Sequence, residues 1–336
     1  MPGDSKQGSG NQLISLGVLI VLLAILSFAL VHYNIVPCGF YSSLGCDVYY
    51  SIIGGEVGGK PKVLIVYGEE GMGNPAFMYE TLRSPRFSAH VTMKELGLVT
   101  MPLLAENQLV IVERAREMKI SQIKMFQEYS ARGGRIVWVG DAGTKAPESE
   151  SDLNYFLLKS QRKAGASKEE YIGPWARKLS DKQVSLDYLL GLDYIGNYCE
   201  LAECSRPDSI VGFLSIPSVN DSGLTNGISP GLSIFGDFSI VQINSSSYQK
   251  GLAYLDYGTD FLASPPAEYF WLKQGRQNFG KEFPAILISG TGGRTAYYAF
   301  PPEYFVSGMM PIDKATGTRI QYWGIIENMY YGMLYK

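Results

Sequence analysis

Residues Leu109 to Thr144, reading LVIVERAREMKISQIKMFQEYSARGGRIVWVGDAGT, restrict the fold more than any other stretch of the chain. Leu109 to Val112 are apolar β-formers that lead into a polar connection. Ser121 is placed to cap a helix that carries Ile123, Phe126 and Tyr129 on one face and ends at Gly133-Gly134. A second apolar run, Ile136 to Val139, follows at once. Strands that are apolar at every position have both faces covered, which predicts a mostly parallel sheet with helices on both faces. Functional groups in such a sheet gather where the strands end. Here those ends are Glu113-Arg114 and Gly140-Asp141-Ala142-Gly143.

The run Leu13 to Val31, LISLGVLIVLLAILSFALV, is uncharged and apolar. A bilayer-spanning helix needs about 20 such residues. The run is longer than a usual signal-peptide core, and no small-x-small cleavage site follows, so it reads as a retained anchor. Lys6 precedes it and no Lys or Arg follows until Lys60, which places the N-terminus in the cytoplasm and the rest outside. The expected organisation is a cytoplasmic tail over 1–12, a transmembrane helix in membrane lipid over 13–31, a juxtamembrane linker over 32–61 and an α/β domain over 62–336. A formal charge of -3, with 18% charged residues and no basic block, argues against a nucleic-acid partner.

The four cysteines fall into two local pairs, Cys38 with Cys46 in CGFYSSLGC and Cys199 with Cys204 in CELAEC. Such pairs suit disulfides in an oxidising compartment. A zinc site from all four is disfavoured, because the first pair is spaced too widely for ligands. Asn220 and Asn244 open N-x-Ser triplets, acceptors for glycosylation outside the cell.

Along the domain, Lys62 to Tyr67 reads as a first strand, followed by Gly68-Glu69-Glu70-Gly71-Met72-Gly73 and a helix over Pro75 to Leu82. The glycine spacing is not that of a dinucleotide loop, and two adjacent carboxylates would repel a pyrophosphate. Ala89 to Leu96 reads as a second strand, with Leu98 to Leu104 a short extension. Residues from about 145 to 190 are charged and helical in pattern, an expected insertion beside the sheet. Short strands with frequent turns follow, at Ile210 to Ile216, Leu232 to Phe235, Phe238 to Ile243 and Leu252 to Asp256. A hairpin is expected from Pro284 to Phe300, and a closing helix over Thr318 to Leu334.

The helix ending in Gly-Gly before a strand and tight glycine turn, together with Phe300-Pro301-Pro302-Glu303 at the last strand end, resembles the class I glutamine amidotransferase-like fold in its trehalose-utilisation-type branch. The resemblance implies a flavodoxin-like, amidotransferase-like α/β architecture. In catalytic members the turn is a nucleophile elbow, Gly-x-Cys-x-Gly, and the last strand ends in a Phe-His-Pro-Glu type motif. In this chain the elbow position reads Gly140, Asp141, Ala142, Gly143, and Pro301 stands where the histidine would be. The resemblance therefore implies a frame without the catalytic cysteine and histidine.

The histidines, His32 and His90, sit beside the apolar run and at the entry of an early strand, so neither completes a thiol or serine mechanism. Carboxylates remain: Glu69, Glu70, Glu113, Asp141 and Glu303 could line an acidic pocket at the strand ends. That pocket admits a divalent cation, an acid/base pair for sugar chemistry, or local pairing with Arg114 and Arg116 and turn capping by Asp141. No other cofactor is implied. The expected function is ligand binding or assembly at the cell envelope without turnover, with an envelope protein or glycan as partner. The alternatives are an envelope glycan or peptide hydrolase using the acidic strand ends, and a scaffold subunit of a larger membrane complex.

Overall fold

The computed structural model describes residues 8–32, 60–87, 89–147, 173–179, 182–202, 204, 210–217, 223–244, 249–265, 275–289, 294–307 and 319–335. They belong to two compact units, Met1–Gly59 and Lys60–Lys336. The first holds one helix, α1 (Gly8–His32). Its side chains from Leu16 to Leu26 are more than half exposed where they are large and apolar. Among the described residues no helix is long and apolar enough to cross a membrane. Cys38, Cys46, Asn220 and most of the expected linker lie outside the described residues.

The second unit is mixed α/β. Its strands are β1 (Lys62–Tyr67), β2 (His90–Glu95), β3 (Leu109–Glu113), β4 (Ile136–Val139), β5 (Ala176–Leu179), β6 (Lys182–Ser185), β7 (Leu192–Asn197), β8 (Ile210–Ser215), β9 (Leu232–Phe235), β10 (Ser239–Ile243), β11 (Gln249–Asp256), β12 (Leu262–Ala263), β13 (Gln277–Asn278), β14 (Glu282–Ser289) and β15 (Thr295–Tyr298). The longer helices are α2 (Pro75–Leu82), α3 (Ile120–Ala131) and α4 (Arg319–Tyr335). Nine strands form one sheet in the order β2-β1-β3-β4-β15-β14-β11-β8-β9. The first five are mutually parallel, and the remaining pairings are antiparallel.

The apolar strands are covered on both sides. Val63, Ile65, Leu109, Ile111, Val137 and Val139 pack into one cluster with Met78 of α2 and Tyr322, Met329 and Tyr330 of α4. Their neighbours in sequence, Leu64, Val66, Val110, Val112, Ile136 and Trp138, enter a second cluster with Ile123, Phe126 and Tyr129 of α3. Alternation of side chains along a strand divides them this way, and two apolar faces are why the runs show no polar alternation.

One local reading needs correction, and two others take definite form. Helix α3 begins at Ile120, and its cap position is Lys119, whose N–H donates to Gln122 Oε1 at 2.8 Å, so Ser121 lies inside the helix. The short extension at Leu98 to Leu104 takes the form of the end of a 3-10 turn, Leu96–Leu98, followed by a short helix at Met101–Ala105. Of the insertion expected over about 145–190, the residues that carry the helical pattern, Leu153, Phe156 and Leu157, lie outside the described ones, and the described part holds the β5–β6 hairpin and a single helical turn at Asp187–Leu190. Trp175, Val184, Leu186 and Leu190 of that described part fill the second cluster.

Candidate functional site

The order β2-β1-β3-β4 places a reversal of winding between β1 and β3, and in open α/β sheets that crevice at the strand carboxyl ends is where ligands bind. Three segments meet there: the Gly68–Asn74 loop after β1, the end of β3, and the turn after β15. Register carries Glu113 beside Tyr67 at the ends of β3 and β1. Glu113 has the same parity as Leu109 and Ile111 and so faces the side of the sheet covered by α2.

Glu113 and Glu303 come together in this crevice, and both are fully buried. The Asn74 N–H donates to Glu303 Oε1 at 2.7 Å. The other Glu303 oxygen and both Glu113 oxygens meet no N–H or O–H donor among the described residues. Burial, then the facing charge of Glu303 and a hydrogen bond shared with it, holds the Glu113 carboxyl well above the usual carboxylate range. Burial likewise pushes Glu303 up to about 7, against the lowering effect of the Asn74 N–H. Both shifts favour a pair that keeps a proton rather than two charges in one buried space. The loop is built for this approach: a Cβ at Gly73, where φ is +112°, would lie 2.7 Å from Glu113 Oε2.

Asp141 occupies a separate position. It is buried in the turn after β4, where its Oδ1 accepts the Met72 N–H at 2.8 Å and its Oδ2 accepts Asn197 Nδ2 at 2.9 Å. Arg116 Nε lies 3.5 Å from the same Oδ2, an ion pair without a hydrogen bond, while Arg116 Nη2 meets Glu200 Oε1 at 2.8 Å. Tyr194 donates to Asn197 Oδ1 at 2.8 Å, and Ser239 Oγ donates to the same oxygen at 3.2 Å. Around the turn, Gly140 has φ +60°, and a Cβ there would lie 2.7 Å from Met72 Cβ. Ala142 is buried, and its carbonyl accepts both indole N–H groups, Trp138 at 3.0 Å and Trp175 at 2.8 Å. Gly143 has φ +76°. The non-glycine residue with positive φ among the described residues is Arg114, not Asp141 or Ala142.

The five carboxylates expected to share a pocket thus separate into three groups. Glu113 and Glu303 face each other, Asp141 is enclosed by its own partners, and Glu69 and Glu70 are exposed, with Glu70 paired to Lys145. Among the described residues no three His, Cys, Asp or Glu side chains converge as metal ligands do. His90 stands at the opposite edge, paired with Lys62 where β1 and β2 begin. Cys199 and Cys204 form a disulfide with a Cα–Cα distance of 4.6 Å. Asn244 is partly exposed, and its Nδ2 donates to Asp193 Oδ1 at 3.2 Å.

Sequence reasoning missed Asn197, Tyr194, Ser239 and Glu200, the side chains that surround Asp141. Tyr194 and Asn197 belong to β7, which pairs with β10 away from the main sheet, and Leu192 to Asn197 has no apolar run that would mark it as a strand. Arg116 was noted only as a local partner for Glu113; it turns instead toward Asp141 and Glu200.

No protein-family model and no curated protein matches the chain. Among solved structures it is similar to a β-galactosidase from Bacillus circulans sp. alkalophilus, at 13% identity and a TM-score of 0.45 over 80% of this chain and 30% of that one. It is similar to a ThuA-like protein from Bacteroides uniformis, at 15% identity and a TM-score of 0.46, over 80% of this chain and 90% of the other. It is also similar to a glutamine amidotransferase from Thermotoga maritima, at 11% identity and a TM-score of 0.42, over 83% of this chain and 100% of the other. The chain spans less than a third of the β-galactosidase. These similarities attach no activity or substrate to the chain, and its α/β layering rests on its own strand order.

Proposed function

We propose that this chain is a single-pass membrane-anchored protein whose amidotransferase-like domain lies outside the cytoplasm and acts by binding or assembly at the cell envelope, without turnover. The observation that carries the absence of turnover is the state of Asp141. The nucleophile slot of the family's elbow falls on Asp141 or Ala142; Ala142 is buried and has no reactive group, and the Asp141 carboxylate is buried and accepts from Met72 and Asn197. A nucleophile or general base has to reach the reacting atom. The Glu113–Glu303 pair, the other acid/base candidate, is also fully buried. The anchor is supported by the uncharged run Leu13–Val31 inside α1 and by the exposure of its leucines, isoleucines and valines, which need an apolar medium. Placement outside the cytoplasm is supported by the Cys199–Cys204 disulfide. An envelope protein or glycan is the partner this reading implies, and glycosylation at Asn244 accords with it.

The test uses the full-length chain. Alkaline carbonate washing of membranes leaves it in the pellet, and recovery in the wash overturns the anchor. Detergent-solubilised chain shows no release of ammonia from glutamine and no soluble product from envelope glycans or peptides. Release that is lost in Asp141→Asn or Glu113→Gln overturns the non-catalytic reading and favours the hydrolase.

A further inference from the structure

We propose that the Cys199–Cys204 disulfide is a redox clasp on the elbow turn: closed, it holds Glu200 against Arg116 and keeps Asp141 covered, and its reduction releases the pair and uncovers Asp141. The inference does not rest on membrane placement, on a partner or on the absence of turnover. It begins from where the bridge lies. The two cysteines, at a sequence separation of 5, close a loop around the short helix Tyr198–Ala202, and Glu200 sits inside that loop. Glu200 Oε1 meets Arg116 Nη2 at 2.8 Å, and Arg116 Nε stands 3.5 Å from Asp141 Oδ2. The side chains of Arg116 and Glu200 are 27% and 29% exposed and that of Asp141 only 1%, so the pair stands between the carboxylate and solvent.

The closed contact is under-satisfied and needs an outside constraint. Arg116 Nε and Glu200 Oε2 are buried atoms with no hydrogen-bond partner among the described residues, and water would satisfy both once the pair opened. The helix that carries Glu200 has 5 residues, and an isolated helix shorter than about 12 residues is marginal in water. Its start is fixed without the bridge. The Tyr198 N–H donates to the Phe238 carbonyl at 2.8 Å, the Cys199 N–H donates to Asp237 Oδ1 at 2.8 Å, and the Tyr198 ring stacks on Phe238. The bridge to Cys204 ties down the other end. Asn197 is held elsewhere, opposite Ser239 in the β7–β10 ladder and by Tyr194, so its bond to Asp141 survives reduction. Both cysteines are half-buried, within reach of a dithiol reductant. One thiolate of the dithiol attacks a bridge sulfur, the S–S bond breaks, and the displaced sulfur leaves as a thiolate that takes up a proton. The second thiolate of the reductant then attacks the mixed disulfide and frees the other cysteine. Two electrons have passed to Cys199 and Cys204, and the dithiol has become a disulfide.

Side-chain labelling of the full-length chain in mild detergent, read by mass spectrometry, tests this. In the oxidised chain Arg116 reacts slowly with phenylglyoxal. After reduction with dithiothreitol and blocking with iodoacetamide it reacts about tenfold faster, the loss of one charge-assisted hydrogen bond, and Asp141 becomes open to carbodiimide coupling. The Cys199→Ser, Cys204→Ser double variant, which leaves the other two cysteines in place, behaves as the reduced chain. Amide exchange across Leu109–Glu113 stays slow throughout. In oxidised Glu200→Ala, Arg116 is already fast and reduction adds nothing. Unchanged Arg116 or Asp141 labelling on reduction overturns the clasp. An equal acceleration of exchange across Leu109–Glu113 shows general loosening and also overturns it, as does a full further rise on reducing Glu200→Ala. Should the double variant fail to fold, the reduced and blocked wild-type chain decides by the same readings.

Discussion

Asn197 donates from Nδ2 to Oδ2 of Asp141 at 2.9 Å, joining the end of β7 to the turn after β4. The same amide accepts from Tyr194 and Ser239, so the carboxylate is approached by a side chain that is itself fixed at its other end. Replacing Asp141 by Ala strands the Met72 N–H and the Asn197 amide together, at an expected cost of about 3 kcal/mol in urea unfolding. Asn197→Ala leaves three partners short and costs about 1–3 kcal/mol. Because the two touch, a double-mutant cycle returns a coupling of at least about 0.5 kcal/mol. Strict additivity rejects the network.

Gly140→Ala tests the tightness of the turn. The position has φ +60°, and a Cβ there meets Met72 at 2.7 Å, so both backbone and packing oppose the substitution. Thermal unfolding is expected to show a loss of about 1–3 kcal/mol. Gly227, which shares a positive φ but has open space around it, loses less on the same change.

Stability should decline from acid toward neutral pH. Burial pushes Asp187 up to about 7, with Asp193 adding to the rise and Ser185 and Arg177 opposing it. Burial does the same to Asp237, although its carboxylate accepts the Cys199 and Phe238 N–H groups. The unfolded chain has Asp near 3.9, so it holds fewer protons than the native chain between these values. The stabilisation from retained protons is complete below about 3.9 and is lost as pH climbs through about 7. Each such group contributes a slope of at most about 1.4 kcal/mol per pH unit inside that window. Asp187→Asn should flatten urea-derived stability across it, and an unchanged slope contradicts the assignment.

Reduction of Cys199–Cys204 frees a short loop. Chain-entropy reasoning for a ring this small gives about 2 kcal/mol. The Cys199→Ser, Cys204→Ser double variant is expected to lose that amount and to be insensitive to added dithiol, whereas the wild-type chain becomes less stable with reductant. Equal stability of oxidised and reduced wild type contradicts a structural role for the bridge.

Legibility from the sequence followed the kind of signal each element carried. Residues 62–67, 75–82 and 136–139 have the expected bounds because uninterrupted apolar strands and a proline-led helix leave little choice. Glu113 and Glu303 could be singled out as strand-end acids, yet nothing local tells that they face each other while Glu69 and Glu70 stay in solvent. That separation is decided by parity along β3 and by the path of the turn after β15. The β5–β6 hairpin was hidden for another reason: its strands are four residues each and carry Arg177, Lys178, Lys182 and Gln183, so no apolar run marks them, while Trp175 beside them packs against Tyr194 and Tyr297. Partners such as Asn197 carry no sequence signal, because a polar residue that ends a short strand looks the same whether or not a carboxylate waits above it.

Strand β15 pairs with β4 on one side and β14 on the other, so it is the seam between the two halves of the main sheet. Its residues leave the ribosome after nearly everything they join. Until then Ile136 to Val139 present an unsatisfied, wholly apolar backbone edge, the kind of template on which nascent chains stick to one another. Termination of synthesis anywhere before Thr295 should therefore give aggregates rather than a smaller folded product.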